Sequence, residues 1–217
     1  GRTTNSAEPK YLNSPESDVF RKRNILFGAY NIKKRKQNID NIILCEGYMD
    51  VIALYKFGYA AVASLGTAVS EKQIDLLTTL SKNIFVVFDG DQAGKNATLR
   101  LFEKLLPLLK TENEFRFVFL PNDLDPEEYL IRNGKSNFNI LLEKSYNISD
   151  IIWLMGLKNK INNSPEQIAK FWKFLRNKIY LIKEKNLQLA IRDDLENRIN
   201  KLRSKIRGDK SKSNSFI

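Results

Sequence analysis

Residues Asn83–Gly94 read N-I-F-V-V-F-D-G-D-Q-A-G, an apolar strand that ends in two carboxylates, Asp89 and Asp91, one glycine apart. A shorter stretch does the same about forty residues earlier, where Ile42-Ile43-Leu44-Cys45 runs straight into Glu46-Gly47. Short, continuous apolar runs of this kind suit strands buried on both faces, as in helix-covered parallel sheets. In open α/β sheets ligands bind just beyond the carboxyl ends of the strands. Two strands that deliver acid to that edge suit Mg²⁺, which takes hard oxygen ligands, commonly one or two carboxylates with substrate phosphates and water. The pattern points to phosphate chemistry.

The stretches around these strands alternate regularly. After Ile42–Cys45 a helix is expected over Met49–Phe57, stopped by Gly58 in a C-terminal capping role. A short strand, Ala60–Ser64, leads into a Gly66-Thr67 turn. The next helix opens at Ser70 with Gln73 three residues on, a capping-box pattern, and Ile74, Leu76, Leu77 and Leu80 give it one apolar face. Strand Ile84–Phe88 is followed by a helix over about Ala93–Leu109, with a break or bend expected at Pro107. A fourth strand, Phe115–Leu120, runs into a second acidic turn, Asp123-Leu124-Asp125-Pro126. Connections this short imply a mainly parallel sheet with helices on both faces.

From Ile148 onward the pattern is helical. Ser164-Pro165-Glu166-Gln167 supplies an N-cap, a first-turn proline and a capping-box Gln in order. The run Ile179–Ile206 has apolar residues at helical spacing and is expected to form a hairpin or bundle, with Gly208–Ile217 as a frayed tail. Toward the other end, Lys10–Pro15 suggests a turn and Val19–Asn38 a basic segment of partial helical character. Residue 1 is Gly rather than Met, so the 217 residues are expected to be a piece of a longer protein.

Composition narrows the chemistry. With no histidine and one cysteine, histidine acid–base catalysis, an internal disulfide and a Cys/His zinc site are excluded within this sequence, so a metal must be held by oxygen. No apolar run is long enough to span a bilayer, and no signal peptide is visible. The net charge of +11 is uneven: nine Lys/Arg against four acids in residues 1–40, eleven against fifteen in 41–150, and sixteen against six in 151–217. An acidic middle between basic flanks suits a metal centre framed by surfaces for a polyanion, although lysine-rich faces also serve simply to keep helices soluble.

In a parallel sheet Glu46, Asp89 and Asp91 emerge on one edge, and Asp123 and Asp125 are expected to join them. Crowded carboxylates raise one another's pKa, and one or two Mg²⁺ ions would relieve that cost while binding nucleotide phosphates. Gly47 and Gly90 are expected where backbone passes close to the ion or phosphate. Gly94, opening a helix beside Lys95, is expected to let phosphate reach the helix N-terminus. The plainer possibility is that D-G-D is only a turn and Glu46 an ordinary strand-end acid. The pairing of two acid-tipped strands is the more specific signal.

Three stretches, E-G-Y-M-D (Glu46–Asp50), S-L-G-T-A (Ser64–Ala68) and V-V-F-D-G-D-Q-A-G (Val86–Gly94), resemble the TOPRIM domain of bacterial primases, topoisomerases and some nucleases. P-K-Y-L-N-S-P (Pro9–Pro15), the F-x-K-x-x-x-L-F-G match at Phe20–Gly28 and L-P-N-D-L-D-P-E-E-Y-L (Leu120–Leu130) narrow the resemblance to DnaG-type bacterial primases. It runs from Gly1 to about Leu142; the helical remainder is compatible with that family's C-terminal bundle.

The resemblance implies a TOPRIM-type α/β fold, mostly parallel sheet with helices on both faces, followed by an α-helical C-terminal subdomain. It implies a DNA-directed RNA polymerase that makes short RNA primers on single-stranded DNA from ribonucleoside triphosphates, with Mg²⁺ or Mn²⁺. Carried over by position, Glu46, Asp89 and Asp91 are the catalytic and principal metal-binding acids, with Asp123 and Asp125, a second acidic pair, and Asp50, a further acid, also counted among the metal-binding residues. Lys10, Asn13 and Lys22 match positions that contact the nucleotide's phosphates, and Arg2 a basic residue near the template path. Tyr11 is a candidate for stacking on a nucleotide and Lys95 for phosphate contact. Tyr48, Trp153 and Trp172 are expected in packing roles and Cys45 as an unreactive buried thiol.

The division expected is 1–39, the end of a basic N-terminal core subdomain; 40–145, the TOPRIM domain with its acidic extension; 146–208, a helical bundle; and 209–217, a tail. The family's zinc-binding domain, most of the N-terminal half of its polymerase core and a helicase-binding domain have no counterpart here, so zinc is expected only in a missing N-terminal domain. A replicative helicase partner, a monomeric state, no membrane and a bacterial cytoplasmic setting at the replication fork complete what the resemblance implies. Primer synthesis by the 217 residues alone is expected to be weak or absent. The alternatives are a TOPRIM-type metal-dependent nuclease and a non-catalytic module that binds nucleic acid or a partner.

Overall fold

The structure is a computed structural model that describes residues 15, 17, 21–34, 39–64, 68–157 and 164–213, with side chains described through residue 204. Arg2, Lys10, Tyr11, Asn13, most of the Lys10–Pro15 turn and the Gly66-Thr67 turn lie outside the described residues. A 3₁₀ turn at Lys22–Asn24 and helix α1 (Ala29–Lys34) precede strand β1 (Asn41–Cys45). Helix α2 (Tyr48–Lys56), strand β2 (Ala61–Ala63), helix α3 (Glu71–Leu80), strand β3 (Asn83–Phe88), helix α4 (Gln92–Leu105) and strand β4 (Glu114–Phe119) follow in strict alternation. Four helices complete the chain: α5 (Pro126–Glu143), α6 (Ile148–Leu157), α7 (Pro165–Ile179) and α8 (Lys185–Ser213).

The four strands form one parallel sheet in the order β2-β1-β3-β4. Leu44 pairs with Val86, and Val86 with Phe117, so β1 and β3 reach the carboxyl edge side by side. Side chains alternate across the sheet with period two. Ile42, Leu44, Ile84, Val86, Phe115 and Phe117 face a core completed by α3, α4 and the C-terminal helices. Ile43, Cys45, Ala61, Ala63, Val87 and Val118 face Val51 and Leu54 of α2 and Tyr129, Leu130 and Phe138 of α5. The strands are therefore covered on both sides, which explains the apolar runs of β1–β3, while in β4 Arg116 interrupts the run and donates to the Ser145 hydroxyl and carbonyl.

The helix boundaries follow their caps. Gly58 adopts φ +85° beyond the end of α2, a conformation that costs glycine little. Ser70 accepts from the Gln73 amide at 3.1 Å while Gln73 returns a bond to the Ser70 amide at 2.9 Å, which closes the expected capping box. At Pro107 α4 gives way to a 3₁₀ turn, Leu106–Leu108.

Three readings of the helical parts need correction. Helix α5 was legible only as an acidic turn, because Gly134 (φ 75°) kinks it and a polar run interrupts its apolar spacing. The run Ile179–Ile206 is not a hairpin of its own; α7 ends at Ile179 and one long helix, α8, follows a short turn. That helix continues through Gly208 to Ser213.

The C-terminal helices are not a detached bundle. Tyr146 exchanges two backbone hydrogen bonds with Phe117 of β4, both 2.8 Å, and Ile148, Ile152, Phe171, Leu175 and Leu195 share the core of the sheet's first face. Trp153 packs edge-on against Phe171 at 5.0 Å, as expected of a core aromatic.

Candidate metal centre at the carboxyl edge of the sheet

Three helices begin where β1, β3 and β4 end, and their N-terminal residues supply the site. Asp91 caps α4, accepting from the Gly94 amide at 2.7 Å. Asp125 caps α5, accepting from the Glu128 amide at 2.7 Å. In the first turn of α2, Asp50 accepts from the Gly47 amide at 3.1 Å. Unpaired amides and the helix dipole make each N-terminus favourable to negative charge, so the fold itself stabilises part of this acidic cluster.

Glu46 and Asp89 sit at the centre. They follow the adjacent strands β1 and β3, and the Asp89 amide donates a long hydrogen bond to Glu46 Oε1, 3.4 Å. Among the described residues, Asp89 Oδ1 is the buried side-chain oxygen without a hydrogen-bond partner. A buried, unsatisfied carboxylate oxygen is costly and calls for an explanation.

The electrostatics agree with the geometry. Burial pushes Asp89 up to about 7, with the charges of Glu46, Asp125, Asp91 and Glu128 adding to the effect. Burial likewise lifts Asp50 to about 7, reinforced by Asp89 and Asp125 and opposed by the Gly47 amide. Glu46 is raised, first by burial and then by Asp91, against the Asp89 amide and the Arg100 guanidinium. Carboxylates that resist ionisation together, one with an orphaned oxygen, fit a hard divalent cation, which would supply the missing positive charge. Among the described residues no three acidic or thiol groups close into a ready-made ligand cage. A cation placed here would meet Glu46 and Asp89 at the centre, whereas the carboxylates of Asp91 and Asp125 already serve as helix caps.

The remaining candidates are placed differently. Asp123 adopts φ 55° in the turn before α5 and its side chain is 76% exposed, paired with Lys95 at 3.7 Å. Lys95 thus faces an acid of the neighbouring turn in this structure. The Lys22 carbonyl accepts from the side chain of Gln73 at 3.0 Å, which ties this basic turn to α3. Tyr48 packs edge-on against Phe27 at 5.9 Å, a structural contact.

The glycines do something other than expected. A Cβ on Gly94 would stand 2.2 Å from the Asp89 carbonyl oxygen, so glycine is needed there for the chain's own backbone. A Cβ on Gly90 would meet the Leu120 carbonyl at 2.6 Å, again backbone and not an ion. Gly94 lets α4 start directly against the Asp89 backbone.

Sequence reasoning also missed participants. Glu127 and Glu128, first-turn residues of α5, add to the negative field at Asp50 and Asp89 respectively. Their signal was present as acids directly after an Asp-Pro helix start. Arg100 of α4 opposes the burial of Glu46, but an isolated arginine inside a helical run carries no local signature.

Comparison with known proteins follows the same lines. Residues 43–130 match the family model described as Toprim-like, and residues 1–33 that of the DNA primase catalytic core, N-terminal domain. The chain is 38% identical over 191 residues to the DNA primase of Rickettsia felis, covering 88% of this chain and 32% of that protein. It thus spans about a third of the length of the curated relatives it matches. Among solved structures, a DNA primase domain from Pseudomonas aeruginosa aligns with a TM-score of 0.83 at 34% identity, over 94% of this chain and 66% of that one. A DnaG primase catalytic domain bound to single-stranded DNA aligns with a TM-score of 0.80 at 33% identity, over 91% and 64%. With the paired family models, the relatives and the parallel TOPRIM sheet in agreement, the chain belongs to the bacterial DnaG-type DNA primases.

Proposed function

We propose that this chain carries the metal-binding part of a primase active site, which joins ribonucleotides on a single-stranded DNA template. The observation that carries the reading is the Glu46–Asp89 pair at the sheet edge, with Asp89 Oδ1 buried and without a hydrogen-bond partner among the described residues. In this reading Glu46, Asp89 and Asp91 hold Mg²⁺ or Mn²⁺, and Asp125 and Asp50 set the surrounding negative field. A bound divalent cation would activate the attacking hydroxyl and neutralise charge on the leaving pyrophosphate. The protein's contribution is to keep these carboxylates close together and partly dry, so that the reacting phosphates are held in one orientation. Asp123, Lys95 and Lys22 belong to the nucleotide-facing rim, as do Arg2, Lys10, Tyr11 and Asn13 of the segment before it.

The template assignment is supported by the similarity to a DnaG catalytic domain bound to single-stranded DNA. Ribonucleoside triphosphates as substrates and a replicative helicase as partner extend the same reading to the longer protein. The domain division at about residues 40 and 146 belongs to it as well.

The test is ribonucleotide incorporation on single-stranded DNA by the longer parent protein and its Glu46→Gln and Asp89→Asn variants. Each variant is expected to lose about a hundredfold or more of the synthesis rate, the size of removing a transition-state electrostatic stabiliser. Template binding should remain. Metal-dependent strand cutting without synthesis would assign the site to a nuclease instead.

A further inference from the structure

The groove between α7 and α8 holds a cavity of about 190 Å³, lined by Trp172 of α7 and by Glu196, Ile199, Asn200 and Arg203 of α8. The four α8 residues recur at three- and four-residue steps, so they form one stripe that meets the indole. Ile199 is buried and gives the cavity an apolar floor, while Asn200 and Arg203 are exposed. Trp172 packs only in part on the core, and the Arg176 guanidinium lies 5.9 Å from the centre of its ring. Arg192 and Arg198 of α8 are paired with acids, whereas Arg176 and Arg203 pair with no acid among the described residues. None of these residues belongs to the acidic centre, which also leaves unexplained the sixteen bases against six acids of residues 151–217.

We propose that this groove is a contact for single-stranded nucleic acid, in which one base lies against Trp172 and the neighbouring phosphates meet Arg176 and Arg203. Such a contact adds to the function proposed above and stands independently of it. Every base has a π face, so an aromatic wall flanked by cations holds a strand with little regard to its sequence. Asn200 can both donate to and accept from the edge of that base. Glu196 alone would repel a strand, but its pairing with Arg192 at 2.8 Å offsets that charge. In a duplex the base faces are hidden in the stack, so the groove selects single strands.

The test follows the emission of Trp172 in the 217-residue chain with Trp153→Phe, where it is the single tryptophan. The ligands are a short oligodeoxynucleotide, the matching oligoribonucleotide and an abasic oligodeoxynucleotide of equal length. Base-bearing strands are expected to quench the emission, and the abasic strand to leave it unchanged. Quenching by DNA alone assigns the groove to the template and by RNA alone to the newly made strand; either supports the proposal. Arg176→Ala combined with Arg203→Ala should weaken binding about tenfold or more and reduce its salt slope by about 1–2. In the otherwise native chain, Trp172→Leu should weaken binding of a labelled base-bearing strand about tenfold, with Trp172→Phe in between. Thermal melts confirm that the variants fold. Equal quenching by the abasic strand, or unchanged affinity in the folded Trp172 and arginine variants, would overturn the proposal. So would loss of quenching in Asp89→Asn, because the strand would then be held by the acidic centre. None of these results touches the primase reading, which falls only if Glu46→Gln and Asp89→Asn leave synthesis intact.

Discussion

Asp89 concentrates the chemistry of this fold in one side chain. Its proton affinity is raised to about 7, by burial first and by neighbouring acids second. Between the ordinary carboxylate range and about 7, the folded chain holds a proton that the unfolded chain releases. The stability tied to that proton is complete at acid pH and is lost as pH rises through 7. In metal-free buffer, Asp89→Asn is therefore expected to raise the melting temperature at about pH 8, with the gain shrinking as pH falls below 7 and vanishing only below about pH 4. With saturating Mg²⁺ the native chain should recover the difference by binding in the folded state only. A gain that does not vary with pH would show that the charge at Asp89 is not the cause. Cys45 behaves as its strand position suggests: burial raises its pKa, and its thiol donates to the Val62 carbonyl at 3.4 Å.

Among the elements, α4 starts against the site, while α3 anchors the basic turn at Lys22–Asn24. Gly94 allows α4 to start against the Asp89 backbone, and any side chain there must push the helix away. Gly94→Ala is expected to cost about 1–3 kcal/mol by overpacking. It should also reduce the thermal shift produced by Mg²⁺; a variant that is destabilised yet keeps the full shift would separate packing from metal binding. On α3, the fully buried Gln73 donates to the carbonyls of Lys22 and Ile25, at 3.0 and 2.7 Å. Gln73→Leu leaves both carbonyls without that donor, at a cost of about 1–3 kcal/mol. Hydrogen exchange should then accelerate at residues 22–29 and not in β3. The capping box of α3 was legible in S-x-x-Q, but this second use of Gln73 was not, since nothing local indicates which segment folds back onto a helix start.

For the molecule as a whole, the decisive fact is that sheet and C-terminal helices share one core. Both tryptophans lie in α6 and α7, so fluorescence reports the helical part while far-UV circular dichroism reports all of it. The two thermal transitions are expected to coincide. Leu195→Ala, at a fully buried position of α8, should lower both together by about 2–5 kcal/mol. A separate early fluorescence transition would establish the helices as an independent unit. Among the described residues no helix is long and apolar enough to cross a membrane.

The sequence by itself determined the parallel sheet, its carboxyl-edge acids and most of the helix starts. Those properties follow from local rules: apolar runs between helices, capping residues at fixed offsets, and acids placed directly after strands. It also carried the family, through motifs dense enough to tell a primase from its TOPRIM relatives. Only the tertiary structure decided how the acids divide their work. Asp91 and Asp125 cap helices, Asp123 turns outward to Lys95, and Asp89 is left with an unsatisfied oxygen beside Glu46. Likewise it alone brought Trp172 and Arg203, from different helices, to one groove. Burial and the mutual approach of charges depend on residues distant in the chain, and those long-range contacts turn a D-G-D turn into a site with strained ionisation.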